Sequence, residues 1–481
     1  MTTTLPIEET LDRGRRERER TGYPEGFPVL PPVPAGRYAD AGFAALEREH
    51  VFDKSWLFVA HTDELAEPGD YLLLRQLPKP VLLVRGHDGT IRAMLNSCQH
   101  RGGPVVPDDA GNTGRRLVCG YHAWTYDLDG TLVGLPAAQD FQVDTACLGL
   151  PRVRCEAWGS LVFVNLDSDA PPLLDALGVV GRELHDQIGG GDGVGPVHLV
   201  GRRSIEVDGN WKLTVDANIE TYHVNTVHRT SAAVVLDQAA TGIFLFPDGH
   251  SHMLVHSRDG KAFPIDLPGF PGASPLANCG IYSFHLFPNT SIVFGGSPAL
   301  AFLISSWPLG PDRSLYDVRF LAATPADGPH GRLLAALVEA NWAVLLEDLA
   351  NLAAIQRSVT SGGLTAMTLS YQERRIYHQH EELDRRIGVD LVHRPCASSP
   401  SSPDGRRRDD GPVRRADADL LHRLHEQSRP VGVRLDHGAR LCRAHLRPGA
   451  GARHGVQAVR RRRVPPLPGT RPGGARAGDQ R

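Results

Sequence analysis

The sequence predicts an α+β protein in two main parts, a small antiparallel β domain followed by a larger α+β domain built on an antiparallel sheet. Three observations carry this. Short runs rich in Val, Leu and Tyr, punctuated by Gly, Pro and Asp-Gly, follow one another with no helical pattern between them from Trp56 to about Asp167. Beyond Asp169, strand-like segments are joined by long helical ones. The length of 481 residues leaves room for two or three domains and a sizeable core.

Residues 1–40 read as an N-terminal arm. Its charged start, MTTTLPIEETLDRGRRERER, lacks the apolar core of an export signal, and the prolines of PEGFPVLPPVPAGRY favour extended chain. Such an arm either wraps a neighbouring subunit or stands as a solvated leader. In 41–167, Phe43, Leu46, His50 and Val51 recur at helical spacing and predict a short amphipathic helix. The strands WLFVAH, YLLLRQL, PVLLVRG, IRAML, RLVCGY, WTYDL and LVFVNL follow, with Asp129-Gly130 as a hairpin signal. Asp169-Ala-Pro-Pro and IGGGDGVGP mark loops at the change to the second domain, 168–388. There HLVGRRSIEV alternates like a strand and a helix starts near Asn210. GIYSFHLFPNTSIVFGG, LAFLISSWPLG and SLYDVRFLAAT read as three adjacent strands. Phe284, Leu286, Ile304 and Trp307 could line a pocket against them, with ordinary core packing as the alternative for each. LLAALVEANWAVLLEDLANLAAIQRSV reads as one apolar helix of about seven turns, and QERRIYHQHEELDRRIG as a charged helix.

The first chemical signal lies between two of the strands. Cys98-x-His100 is followed, after eighteen residues, by Cys119-x-x-His122. Two thiols and two imidazoles on short Gly-flanked loops can hold a [2Fe–2S] centre, with both cysteines on one iron and both histidines on the other. Neutral imidazole in place of thiolate lowers the negative charge of such a centre and raises its potential. Tetrahedral zinc is the competing reading of the same four residues.

The second signal is NWKLTVDANIETYHVNTVH. His223 and His228 are five apart and fall on different sides of a regular helix, so their convergence needs a helix end or an irregularity. Glu220, three before His223, shares its face. A carboxylate is expected from the apolar helix, where Asp348 lies among Val344, Leu345, Leu352 and Ile355; unpaired there it would cost several kcal/mol. Glu347 is the competing acid. Two histidines and one carboxylate form the facial triad of non-haem iron enzymes. Asn218, Tyr222 and Asn351 are candidates to orient the ligands.

NSCQHRG, CGYHAWTYDLDG and HTDELAEPGDYLLL resemble the Rieske domain of ring-hydroxylating oxygenase large subunits, and NWKLTVDANIETYHVNTVH and LLEDLANLAAIQ resemble that family's iron motif and later acid-bearing helix. The likeness spans about 38–388. It implies a helix-grip-like second domain, a [2Fe–2S] cluster on Cys98, His100, Cys119 and His122, and mononuclear Fe(II) on His223, His228 and Asp348. Gly103 and Tyr121 stand where respiratory Rieske proteins have a loop-tying cysteine pair, which favours the oxygenase type. Electrons would come from NAD(P)H through a ferredoxin or flavin reductase, since no GxGxxG follows a strand here. A homotrimer or an alpha3beta3 assembly is implied, with electrons crossing between subunits through Glu220, where most members have Asp and some acting on quaternary amines have Glu. The expected activity is O2-dependent hydroxylation of an organic, aromatic substrate. Attack on a quaternary amine or other methylated substrate is the alternative, and a non-catalytic Rieske electron carrier is the rival from another class.

The seven cysteines are scattered, not arranged as a disulfide framework, and suit a reducing cytoplasm. No apolar run approaches the roughly 18 residues of a membrane span. The net charge of −3 hides an asymmetry, because 390–481 holds 20 Arg, no Lys and 9 acids, leaving the rest near −14. From Val389 onward there is no Ile, Phe, Tyr, Trp, Met, Asn or Lys, too little apolar content to fold alone. A basic nucleic-acid tail is one reading. The missing residues mostly have A/T-rich codons, which favours an out-of-frame translation of GC-rich DNA, with no role in nucleic-acid binding. Reading the other frames past codon 388 should restore alternating apolar structure; frames that all lack it would overturn this.

Overall fold

The short apolar runs of the first half form a seven-stranded antiparallel sheet in the computed structural model, which describes residues 7–191, 194–258 and 265–392. Its strands lie in the order Leu57–His61, Leu161–Asn165, Arg152–Trp158, Ile91–Leu95, Val81–Arg85, Asp70–Leu74, Ala110–Asn112. A small second sheet joins Leu117–Val118, Thr125–Tyr126 and Leu132–Gly134. The Asp129-Gly130 signal closes its hairpin: Gly130 has φ +87°, and Asp127 N–H donates to Thr131 O at 2.8 Å. Arg152–Trp158 is a strand the sequence reading lacks. Its core-facing Val153 and Cys155 are interleaved with Arg152, Arg154 and Glu156, whose charges mask the pattern.

The N-terminal segment differs from the expected arm. Ile7–Glu19 is a helix (α1) packed on the chain's own second-domain sheet. Arg13 lies over the Phe244 ring at 4.4 Å, and a Cβ at Gly14 would collide with His256. The proline-rich stretch after it is extended, and Val33–Pro34 pairs with Ala366–Met367. The helix Ala41–His50 (α2) starts where expected, capped by Asp40, which accepts from Phe43 N–H at 2.7 Å.

Leu173–His185 (α3) leads into the second seven-stranded antiparallel sheet, ordered His198–Val207, Ser314–Ala322, Leu300–Pro308, Thr290–Gly295, Gly280–Leu286, Ser251–Ser257, Leu236–Leu245. Where three strands were read beyond residue 280, there are four. GIYSFHLFPNTSIVFGG folds back on itself at Phe287–Asn289, a turn hidden inside an apolar run. Strand parity then sorts the candidate pocket residues. Phe284 and Leu286 face the core shared with Leu177, Val180 and Leu184 of α3 and with Trp158 and Phe163 of the first domain. Trp307 packs with Trp211 and Phe287. On the opposite face Ile281, Val293, Phe302 and Ile304 meet Trp211–Ile219 (α4) and Gly331–Leu349 (α6). Of the four candidates, Ile304 alone belongs to a pocket beside the triad.

The long apolar helix is also two helices. α6 stops one residue after Asp348, and Leu352–Thr360 continues as a separate helix after a break at Ala350-Asn351. The charged segment forms the helix Arg374–Ile387, but its face is inward: Arg374, Arg375, His378, His380 and Glu382 are all buried. Residues 393–481, with Cys396 and Cys442, lie outside the described residues, so the tail readings stand only as sequence expectations. No helix of the described residues is long and apolar enough to cross a membrane.

A buried ion pair ties the first domain's leading helix to α4. Lys212 Nζ donates to Glu47 Oε1 at 2.6 Å with side chains 0 % and 2 % exposed, and Trp211 Nε1 donates to Glu47 Oε2 at 3.1 Å. Removing one partner of a buried pair leaves an uncompensated charge. Glu47→Ala should therefore cost about 3–5 kcal/mol, read as a lower urea midpoint; a change within experimental error would show that Lys212 finds other compensation.

Candidate metal centres

The first centre is assembled from two loops pinned by the backbone. The buried Asn96 amide accepts from Val105 N–H (2.7 Å) and Val106 N–H (3.1 Å) and donates to Val106 O (2.9 Å), closing the first loop at its root. Within it Cys98 N–H donates to Gly103 O and Gly102 N–H to Cys98 O, both at 2.8 Å. In the second loop Cys119 N–H donates to Trp124 O at 2.9 Å and Ala123 N–H to Cys119 O at 3.0 Å. The loops touch where Gly103 lies, since a Cβ there would be 3.3 Å from Cys119 Sγ. That close approach is a reason for glycine at 103.

Both cysteines are buried, whereas His122 is exposed and His100 partly so. The Tyr126 hydroxyl accepts from Gln99 N–H at 3.0 Å and lies 3.2 Å from Cys98 Sγ, leaving its own proton for the sulfur. Burial and the Cys98 contact hold that phenol well above its usual pKa, so it stays a donor. His100 stacks on Trp124 (centroids 5.0 Å, 7°), and its Nδ1 is 3.1 Å from His122 Nδ1. Two imidazole nitrogens bound to one ion at about 2.0–2.1 Å are held about 3.0–3.4 Å apart. The histidine pair already has that spacing. The thiols lie at the buried end of the two loops and the imidazoles toward the surface, the order in which a two-iron centre with cysteines on one iron and histidines on the other would use them.

The second centre forms where helices end. α4 stops at Ile219, Glu220 is extended (φ −131°, ψ 171°), and Val224–Val227 makes a single turn (α5) with His223 as its N-cap and His228 as its C-cap. The helix end that the five-residue spacing demanded is therefore present. His223 Nε2 and His228 Nε2 are 3.3 Å apart, and Asp348 Oδ1 lies 3.2 and 2.9 Å from them. This is the group among the described residues in which three such ligand atoms fall within 4.8 Å. Asp348 is 9 % exposed, and its Oδ1 adjoins both imidazoles. The three atoms surround a common position.

Each imidazole is oriented from behind. Glu220 accepts from His223 Nδ1 and from Tyr222 N–H, and Glu347 Oε2 accepts from His228 Nδ1 at 2.7 Å and from Ser231 Oγ at 2.6 Å. Glu347 is thus not at the ligand position; one residue along the helix turns it to the outer nitrogen. Its role was missed in the sequence, where only adjacency to Asp348 hinted at it. Asn218 instead accepts from Tyr316 Oη at 3.0 Å, Asn351 Nδ2 donates to Glu347 O at 3.4 Å, and Tyr222 is exposed. Burial lowers the pKa of His223, but Asp348 and Glu220 reverse the effect and carry it up to about 10. Burial raises that of Asp348, and the two imidazoles more than offset it, leaving it below the usual carboxylate value. The pocket is charged to receive a cation.

A cavity of ≈ 120 Å³ adjoins the triad, lined by Leu236, Met253, Ile281, Val293, Phe302 and Ile304 among others. An open groove of ≈ 510 Å³ approaches His223 and Asp348 from the side of Asp216, Glu220 and Glu373.

Residues 55–151 match the family model described as the Rieske [2Fe-2S] domain, and 196–389 that of the ring hydroxylating alpha subunit (catalytic domain). The large oxygenase component of the 2,4-dinitrotoluene dioxygenase system of Burkholderia sp. (strain RASC) is 30% identical over 54% of this chain and 56% of its own length. The carnitine monooxygenase oxygenase subunit of Escherichia coli (strain K12) is 33% identical over 43% of this chain and 55% of its own. The chain thus spans a little over half the length of these curated relatives. The crystal structure of a quaternary ammonium Rieske monooxygenase in complex with L-carnitine superposes with a TM-score of 0.63 at 23% identity, covering 77% of this chain and 100% of that one. With a Rieske domain followed by a ring-hydroxylating catalytic domain in one polypeptide, the chain belongs to the family of Rieske oxygenase large (alpha) subunits.

Proposed function

We propose that the protein is the terminal oxygenase component of a cytoplasmic multicomponent system, using O2 and electrons from NAD(P)H, delivered by a ferredoxin or flavin reductase, to hydroxylate a small aromatic substrate. The observation that carries this is the convergence of His223 Nε2, His228 Nε2 and Asp348 Oδ1 in a chain that also carries a separate Cys98, His100, Cys119, His122 centre. A pure electron carrier has no use for the second constellation. When bound, the cluster on the first set supplies one-electron transfer and the Fe(II) on the second supplies dioxygen activation.

The chain's own residues do the rest. Glu220 and Glu347 hold the outer nitrogens of His223 and His228, so both Nε2 lone pairs face inward. Leu236, Val293 and Ile304 keep water from the cavity side. Its ≈ 120 Å³ is of the order of the roughly 150 Å³ cavity that takes up benzene, which suits one ring. Glu220 lines the open groove on the other side, where, as in the family's head-to-tail homotrimer or alpha3beta3 arrangement, a neighbouring subunit's Rieske histidine would approach it.

A second reading, oxidation of a quaternary amine, is favoured by the carnitine-oxidising relative and by Glu at position 220. A methylammonium cation wants several Trp, Tyr or Phe faces, and Phe302 is the one such residue among those lining the cavity. Oxygen uptake with a reductase across aromatic compounds and methylated amines tests the choice. Uptake coupled to an aromatic product is expected; uptake coupled to a methylated amine alone would reverse the assignment, and none with any substrate would favour the carrier.

Paired variants test the two sets of residues. Asp348→Ala should lower iron from three to two per chain while the Rieske electron paramagnetic resonance signal persists. Glu220→Ala should keep all three irons and lower turnover by about 10–100-fold; unchanged turnover would remove Glu220 from the electron path.

A further inference from the structure

Four lysines and arginines are buried among the described residues: Lys212, Arg319, Arg374 and Arg375. Three meet carboxylates, Lys212 at Glu47, Arg319 at Asp317 and Glu64, and Arg374 at Glu17. Arg375 meets none. It is 1 % exposed. Its Nε donates to Ser251 Oγ at 2.9 Å, its Nη1 to Ile219 O at 3.3 Å and to Met253 Sδ at 3.6 Å, and its Nη2 has no partner. Burial, with Arg374 beside it, brings the guanidinium down to about 9, still cationic at neutral pH. A buried cation with no counter-charge costs several kcal/mol.

The groups around it are short of partners too. Ser251 is in register with His285 on the adjacent strand, and Met253 with Ser283, which sets the four side chains on the face of the sheet that Arg375 covers. Ser283 Oγ has no hydrogen-bond partner, and His285 and Gln379, one turn along the helix from Arg375, face each other with no other side-chain partner. Native interiors leave few polar groups so sparsely served, and these share one patch. It borders the cavity: Met253 and Ser283 line the space beside the triad, and the Met253 sulfur is 3.6 Å from Arg375 Nη1. A methionine has three rotatable bonds and yields readily.

We propose that Arg375, His285, Ser283 and Gln379 form a carboxylate subsite at the wall of the substrate cavity, and that the substrate is a small aromatic acid with its carboxylate at Arg375 and its ring toward His223, His228 and Asp348. The guanidinium fork matches a planar carboxylate, and its single charge balances a monoanion. The Ser283 hydroxyl, the Gln379 amide and one ring N–H of His285 complete the donors. The inference rests on the oxygenase reading and names its substrate class.

Calorimetric binding to the metal-loaded full chain, without turnover, tests it with benzoate and its neutral isostere benzamide. Benzoate should bind at least tenfold more tightly. Arg375→Met should abolish that preference without lowering the melting temperature, because it removes an unpaired buried charge. Ser283→Ala should weaken benzoate binding severalfold and leave benzamide unchanged, so the test survives if Arg375→Met fails to fold. Equal affinity for the two probes, a preference that persists in the variants, or a large loss of melting temperature in Arg375→Met with the preference intact would overturn the subsite. Benzoate that binds as described but is never hydroxylated, nor any other aromatic acid, would keep the subsite and defeat the oxygenase reading.

Discussion

The structure turns on a carboxylate that has to be buried. Asp348 lies at the end of an apolar helix and under a sheet, where a lone negative charge is untenable. The two imidazoles that approach it meet part of that demand, and their Nε2 atoms together with Asp348 Oδ1 face a shared position. Several local features follow from this contact. α6 ends just past Asp348, α4 ends before Glu220, and the chain between His223 and His228 makes a single helical turn. Regular helices through either segment would carry the three ligand atoms apart.

The two centres solve different physical problems. The first sits on loops whose shape is set by backbone hydrogen bonds and by the Asn96 amide, with the cysteines buried and the histidines toward the outside. That arrangement suits a centre that exchanges electrons through its imidazole edge. The second lies between a sheet face and helix ends, beside an apolar cavity and under outer carboxylates, which suits a centre that must admit a small molecule and exclude water. The ion pair of Lys212 with Glu47 and the core shared between Phe163 and Phe284 fasten the domains that carry them.

Buried charge also explains the helix Arg374–Ile387, which reads as a surface element because polar residues dominate it. Its polar side is inside. Arg374 meets Glu17, Glu382 meets Arg385 and Arg386, and Arg375 and His378 donate to Ser251 Oγ and Phe246 O. Polarity in a sequence marks solvent only when no partner is available, and a helix crossing a sheet end supplies partners that no local pattern reveals.

The sequence by itself determined the order of the two domains and the Cys98, His100, Cys119, His122 spacing, and it singled out Glu220, His223, His228 and Asp348 as candidates with Glu347 as the rival acid, because ligand chemistry and short apolar runs are local signals. Helix α2 was legible from the helical spacing of Phe43, Leu46, His50 and Val51. The tertiary structure alone decided which face of each strand meets the cavity, since parity is defined only once a register exists: Ile304 turns toward the triad and Phe284 and Leu286 turn away. It likewise decided that Glu347 orients where Asp348 would bind, that α1 packs on its own sheet, and that Arg375 is buried without an acid. Each of these depends on which distant residue comes within a few ångströms, a distance set by packing and absent from any window of neighbouring residues.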